Sequence, residues 1–224
     1  MVARTTEWAF LGRVPYAEGL ALQQVTAAGL KRGDGPERLL LLEHPPVFTL
    51  GRNASEADIV APREWLEAQG IEVHETNRGG EVTYHGPGQL VGYPILNLNP
   101  DRRDIRRYVR DLQEVLIRTL ADFGVTAFRH EAPGHIGVWV REGKIASIGV
   151  HLSRWVTTHG FALNVTTDLG HFGGIVPCGL VGVRMVALSE LVAEAPSLEA
   201  VAARVVHHFG PVFDRQVVPP GGSA

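Results

Sequence analysis

Apolar residues after Asp101 recur at three- and four-residue steps: Ile105, Tyr108, Leu112, Leu116 and Leu120. That spacing lays them on one face of a helix. Asp101 is placed to cap it and Gly124 to end it in the left-handed conformation. Ser197 opens another helix, with Leu198, Val201, Val205 and Phe209 on one side. Fainter helical patterns cover Tyr16 to Lys31 and Pro62 to Gln69. Strand patterns fill Arg38 to Glu43, Ile71 to Thr76, Leu90 to Leu96, Gly137 to Val140, Lys144 to Leu152 and Phe161 to Val165. Arg141-Glu142-Gly143 joins two of these runs closely enough for a hairpin, so part of the sheet is antiparallel. Strands outnumber helices without alternating strictly with them. The expected architecture is therefore α/β of the α+β type, a mixed, partly antiparallel sheet flanked by helices, not a doubly wound fold. No repeat or linker interrupts the chain before Pro219, so residues 1–218 read as one domain and residues 219–224 as a flexible C-terminal tail.

Composition narrows the functional classes. With 45% hydrophobic and 20% charged residues, a chain of 224 residues has enough apolar surface for a sizeable core. Its formal net charge of −3 offers no excess of cations for a phosphate backbone, so nucleic acid is not the expected partner. No apolar stretch approaches the roughly 18 residues of a membrane span, and Met1 to Leu20 lacks the pattern of an export leader. The expected location is cytoplasmic. The single cysteine, Cys178, cannot form an internal disulfide and excludes a multi-cysteine metal site. Among 21 basic residues only Lys31 and Lys144 are lysine. Arginine stays protonated wherever it is put, whereas lysine can yield its proton, so each lysine marks a place where proton transfer is worth considering.

Four segments concentrate unusual chemistry. Arg78 to Gln89 holds four glycines in twelve residues; such glycines let a ligand approach the backbone, and Arg78, Thr83, Tyr84 and His85 bring hydrogen-bonding groups to the same wall. The plain alternative is a glycine-rich turn. Neither the dinucleotide nor the phosphate-loop glycine spacing occurs there. Lys144 opens a run of apolar and small residues to Val150, where it is either a reactive amine or an ordinary strand-end lysine. His159 enters a further strand and, taken alone, is more often a satisfied structural histidine. Cys178 stands between Pro177 and Gly179, in a turn that would present its thiol to a substrate rather than bury it as filler. A nucleophilic thiol needs a nearby base or cation; Lys144, His85 and His159 are the candidates.

These residues resemble a known family. The stretch Arg78-Gly79-Gly80 through Thr83-Tyr84-His85 to Gln89 and Tyr93 is similar to the signature of the lipoyl(octanoyl) transferases, the LipB family. Glu43-His44-Pro45-Pro46-Val47-Phe48-Thr49-Leu50-Gly51-Arg52, Lys144-Ile145-Ala146-Ser147-Ile148-Gly149 and Pro177-Cys178-Gly179 resemble three further blocks in the same order. The likeness runs from about Tyr16 to Leu191. Asn77 departs from it, standing where many members carry an acidic residue, and Arg184-Met185-Val186 follows it too loosely to receive a role.

The resemblance implies an enzyme that moves an octanoyl group from the phosphopantetheine thioester of acyl carrier protein to a lysine of lipoyl domains. Those are the domains of 2-oxoacid dehydrogenase complexes and the glycine cleavage system, and the transfer is the first committed step of endogenous protein lipoylation. By position, Cys178 would be the acyl-thioester nucleophile and Lys144 its activating partner. The binding residues would be Arg78, Gly79, Gly80, Glu81, Val82, Thr83, Tyr84 and His85, then Ser147, Ile148 and Gly149, then Gly160, Phe161 and Ala162, with His159 in support. The implied fold is that of the biotin and lipoate protein ligase catalytic domain, with no metal, no ATP and no diffusible cofactor. Three rivals differ in their needs. An ATP-dependent lipoate or biotin-type protein ligase needs no thiol; a non-catalytic module binding acyl carrier protein or lipoyl domains is indifferent to Cys178; a Cys-His hydrolase needs an oriented Asn or Asp.

Overall fold

The computed structural model describes residues 4–132, 134–176 and 183–221. Its main sheet has seven strands: β1 (Arg4–Arg13), β2 (Glu37–Glu43), β6 (Gln89–Ile95), β7 (Gly137–Val140), β8 (Gly143–Ser153), β9 (Val156–Asn164) and β10 (Arg215–Val218). They lie in the order β10-β1-β2-β6-β9-β8-β7. β1 pairs parallel with β10 and β2, and every other pairing is antiparallel, including the β7–β8 hairpin expected at Arg141 to Gly143. A smaller sheet, in the order β4-β3-β5, is made of β3 (Val47–Leu50), β4 (Glu72–Glu75) and β5 (Val82–His85). The helices are α1 (Tyr16–Arg32), α2 (Arg63–Gln69), α3 (Ile105–Ala121) and α4 (Leu198–Phe213). The mixed sheet flanked by helices is thus as the sequence leads one to expect.

Side-chain alternation shows why the large sheet is sandwiched. Along β2, Leu39 and Leu41 enter the core under α3 and α4, whereas Leu40 and Leu42 enter the core under α1. Successive side chains of a strand point to opposite faces, so a run of four leucines has no solvent side and needs cover on both. β9 repeats the pattern, with Phe161 and Leu163 on the α3/α4 side and Ala162 on the other. The small sheet has its own core, built on Phe48, Leu50, Val82 and Tyr84.

Several elements differ from the sequence reading. Asp104, not Asp101, caps α3, accepting from the Arg106 and Arg107 N–H groups at 2.8 and 3.0 Å; the cap must adjoin the first helical residue, which is Ile105. Asp101 instead accepts from Arg4 and Arg215 at 2.7 and 2.9 Å. Gly124 does adopt φ 77°, letting the Val125 N–H return to Leu120 O at 3.0 Å. β5 lies inside the glycine-rich stretch taken for a loop, and β9 begins at Val156, ahead of the expected Phe161. Its polar start is buried because Thr157 Oγ1 donates to Pro94 O at 2.8 Å and accepts from Leu96 N–H at 2.9 Å. Among the described residues, no helix is long and apolar enough to cross a membrane.

Glu37 is the polar knot of the sheet's outer half. It is 4% exposed; its Oε1 accepts from Arg4 and from the Asn97 N–H, and its Oε2 from Arg215 at 2.8 Å and Thr6 at 3.3 Å. β1, β2, β10 and the end of β6 therefore meet on one carboxylate. Replacing it leaves the buried Arg215 guanidinium with Asp101 as its remaining carboxylate partner, so Glu37→Ala should lower unfolding free energy by about 3 kcal/mol. Urea denaturation of parent and variant at neutral pH measures this, and a change under about 1 kcal/mol would show that the network is replaceable.

Candidate active site

A cavity of about 290 Å³ opens where the start of α1, the loop before β5 and the β8–β9 hairpin converge. That is the small end of the range of roughly 300–1,000 Å³ typical of ligand sites. Its wall takes Arg78, Gly79, Gly80 and Glu81 from the loop and Val82, Thr83 and His85 from β5. β8 supplies Lys144, Ser147, Ile148 and Gly149, and β9 supplies His159, Gly160, Phe161 and Ala162. Three separate stretches of sequence are thus brought together. Tyr84 is not among them: its ring packs 5.9 Å from Phe48 and 5.4 Å from Phe172 in the small sheet's core. Alternation along β5 turns it away from its neighbours, so it supports the wall from behind. Cys178 lies outside the described residues.

Close backbone approach shapes the cavity. Gly79 N–H donates to Val150 O at 2.9 Å, docking the loop on β8. A Cβ on Gly149 would stand 2.8 Å from Gly79 O, and one on Gly51 would stand 2.1 Å from Gly80 O, so both positions require glycine. Arg78 braces this loop: its guanidinium donates to Thr49 O at 2.6 Å and to Thr49 Oγ1 at 3.0 Å.

Lys144 is 1% exposed, a charged-type side chain taken into the sheet. Its Nζ lies 5.8 Å from the centre of the Trp139 ring. Gly137 makes room for its stem, since a Cβ there would come within 2.7 Å of Cε. The Lys144 N–H donates to Arg184 O at 2.9 Å, and its carbonyl accepts from Val186 N–H at 3.0 Å. The segment that sequence reading left without a role, Arg184 to Val186, is therefore the backbone partner of the lysine.

Sequence reasoning also assigned no cavity role to Tyr16, Val91, Tyr93, Val109 and Ile136, which line the wall together with Asn53, Gly134 and Val150. Val91, Tyr93 and Ala162 share the α1 face of the sheet; the alternation was legible, but not which face would carry a cavity. Behind the wall runs a polar chain. His44 Nδ1–H donates to Val14 O at 2.6 Å, leaving Nε2 to accept from the Tyr93 hydroxyl at 2.7 Å. His85 Nδ1–H donates to Gln89 Oε1 at 2.7 Å; the Gln89 amide donates to Asn164 Oδ1 at 2.9 Å, and Asn164 donates to Val186 O at 3.1 Å. Burial lowers His44 to about 4 and His85 to about 3, the latter also through His44. His159 falls to about 3, through burial and then Arg78 and His151. Burial pushes the Tyr16 hydroxyl up to about 12 and Tyr93 well above its ordinary value. Near neutral pH these imidazoles and phenols are uncharged hydrogen-bonding groups.

Residues 15–210 match the sequence model of the lipoyl protein ligase A/B catalytic domain. The chain is 52% identical over 209 residues to an octanoyltransferase of Solibacter usitatus, covering 93% of both proteins. It is 52% identical over 199 residues to an octanoyltransferase of Syntrophotalea carbinolica, covering 89% of this chain and 90% of that one. The chain belongs to the lipoyl(octanoyl) transferase family. It is an acyltransferase of octanoyl groups in protein lipoylation. Among solved structures, the bipartite lipoate protein ligase of Thermoplasma acidophilum superposes with a TM-score of 0.76 at 18% identity, covering 96% of this chain and 86% of that one, which shows a shared fold.

Two outcomes follow from this geometry. Gly137→Ala should displace the Lys144 stem and also crowd Ala146 O, 2.3 Å from the new Cβ. Octanoyl transfer should fall at least about tenfold, a loss that a displacement near 1 Å is enough to cause; steady-state assay decides it, and unchanged turnover would separate lysine placement from activity. The second outcome concerns acid. The folded state holds His44, His85 and His159 at about 4, 3 and 3, whereas the unfolded chain protonates each near 6.5. Their contribution is fully present above 6.5 and is lost as pH falls toward 4 for His44 and toward 3 for His85 and His159. Stability should drop by up to about 1.4 kcal/mol per pH unit for each imidazole across that window. Urea midpoints at pH 7 and 5 measure the slope; equal midpoints would mean the three rings protonate without unfolding.

Proposed function

We propose that the enzyme accepts its octanoyl group from the thioester of acyl carrier protein, holds it on Cys178, and delivers it to a lysine of lipoyl domains in 2-oxoacid dehydrogenase complexes and the glycine cleavage system. The observation that carries this reading is the burial of Lys144 in the wall of a mostly apolar cavity, paired through its backbone with Arg184, six positions after Cys178 in sequence. In the first half-reaction the Cys178 thiolate adds to the thioester carbonyl and the carrier thiol departs with a proton. One thioester replaces another, so the step needs a thiolate and a placed carbonyl more than a driving force. In the second, the amine of the acceptor lysine attacks the Cys178 thioester, gives up a proton, and displaces the thiolate to leave an amide.

Lys144 suits both steps. As an ammonium it favours the thiolate, and as an amine it takes the proton from the acceptor. Arginine could do only the first. Ser147, Gly149 and Thr83 supply small or polar wall positions for the carbonyl, while Val91, Ile148, Phe161 and Ala162 offer apolar surface to the acyl chain. Burying such a chain contributes about 0.8 kcal/mol per methylene. The alternative of a non-catalytic module is set aside by the family's transferase activity; a ligase mechanism would require ATP, and the proposed route does not.

The test separates the half-reactions. Incubation with octanoyl-acyl carrier protein, without ATP, should yield an intact mass increased by one octanoyl group, and Cys178→Ala should abolish both this adduct and turnover. Lys144→Arg should form the adduct but discharge it to a lipoyl domain at least about a hundredfold more slowly, as loss of a general base does. Turnover by Cys178→Ala, or equal losses in both steps for Lys144→Arg, would overturn the respective roles.

A further inference from the structure

His159 is, among the described residues, the one non-glycine with positive φ inside a strand, at 57° in β9. A left-handed conformation is costly for a side-chain-bearing residue and persists where surrounding contacts impose it. Three contacts do so here. The His159 N–H donates to Gln23 Oε1 of α1 at 2.7 Å; the ring Nε2–H donates to Asn77 Oδ1 at 2.8 Å; and the ring stands edge-on to Tyr93, with centroids 6.4 Å apart. The residue is 2% exposed.

The Asn77 contact has a mechanical consequence. Asn77 immediately precedes Arg78, and Gly79 is bonded to the carbonyl of Val150, the residue paired with His159 across β8 and β9. The 77–80 loop is therefore fastened to one hairpin at two points, one through backbone and one through the His159 ring. That ring also separates two spaces: it lines the 290 Å³ cavity and a neighbouring groove of about 490 Å³ bordered by Gln23, Asn77, His151 and Arg154.

We propose that His159 is a positioning residue for octanoyl transfer, its ring latching the 77–80 loop over the acyl cavity through the Asn77 side chain. The kinetic part rests on the octanoyl-transfer reading; the latch itself does not. The groups bonded to, packed on or acting on His159 are Gln23 from α1, Asn77 and Arg78 from the loop, Tyr93 from β6, His85 from β5 and His151 from β8, and Lys31, Arg32 and Arg154 share its groove. None is a carboxylate. Burial and the Arg78 charge hold the ring neutral, so the latch does not change across the physiological range. A carboxylate at position 77 would reverse that electrostatic balance 2.8 Å from Nε2.

The experiment uses the full chain, with octanoyl-acyl carrier protein as donor, and three variants. Asn tolerates the left-handed region and is too short to span to Asn77, so His159→Asn removes the latch without adding strain. Asn77→Leu removes the acceptor and leaves His159 intact. Each should raise the donor KM about tenfold with kcat within about twofold, the size expected for one lost hydrogen bond. Each should also speed amide exchange of Gly79 about tenfold or more. Asn77→Asp should make the His159 ring titrate between about pH 5 and 8 by NMR, where the parent ring stays neutral. Unchanged KM and exchange in both latch variants would overturn the proposal, as would a loss confined to kcat, or a parent ring that titrates near neutrality. Should the parent fail to transfer octanoyl groups at all, the function fails, and amide exchange with ring titration decides the latch on its own.

Discussion

A lysine inside a β-sheet is the constraint on which the site depends. Moving a basic side chain out of water is costly, and a strand interior offers no free volume for a four-carbon stem. The chain meets both demands locally. Trp139, paired with Lys144 across β7 and β8, brings an aromatic ring to 5.8 Å from Nζ, and Gly137, two residues along β7, leaves the space its Cε occupies. The backbone of Lys144 is bonded on its outer side to Arg184 and Val186. The lysine therefore cannot swing with a loop; its position is as fixed as the sheet.

Around that lysine the wall is mostly apolar, and its polar groups are largely uncharged. Histidines 44, 85 and 159 are held neutral by burial, and Tyr16 and Tyr93 keep their protons. Arg78, the remaining cation of this loop, has its guanidinium bonded to Thr49. A thioester carbonyl can be oriented by such groups without competing proton donors of matched acidity. The same neutrality ties the site to the fold. The relay from His85 through Gln89 and Asn164 ends on the carbonyl of Val186, whose N–H bonds to Lys144. Wall and lysine are thus parts of one hydrogen-bonded frame, in which each buried polar group depends on its neighbour.

Much of this was legible in the sequence where period and punctuation were strong. The α3 stripe from Tyr108 to Leu120 and the α4 stripe from Val201 to Phe209 are helical and buried. The Gly79-Gly80 pair and Gly149 sit where backbones meet. What escaped was set by tertiary context. β3 and β5 are four residues each and gain their identity from pairing with one another. β10 is completed by Arg215 reaching Glu37, 178 positions away. Thr157 and His159 look unlike strand interior, yet hydrogen bonds from distant segments bury them. Tyr84 shares a motif with His85 but not a face, because a strand alternates regardless of which residues a motif groups together.

Arg78 shows how one residue of the loop serves the fold and the cavity wall together. An arginine beside two glycines reads as a ligand-binding cation; all three residues do line the cavity, and the guanidinium at the same time holds Thr49. The 78–80 stretch is clamped between Gly51 on one side and Gly149 on the other, with a Cβ excluded at both. The glycine-rich stretch therefore acts chiefly as a thin, rigid partition. It lets the small sheet approach β8 closely enough for Thr83 and His85 to line one cavity with Ser147 and Ala162. Shape at this site comes from backbones packed at van der Waals distance, and side-chain chemistry is added where strands β5, β8 and β9 present it.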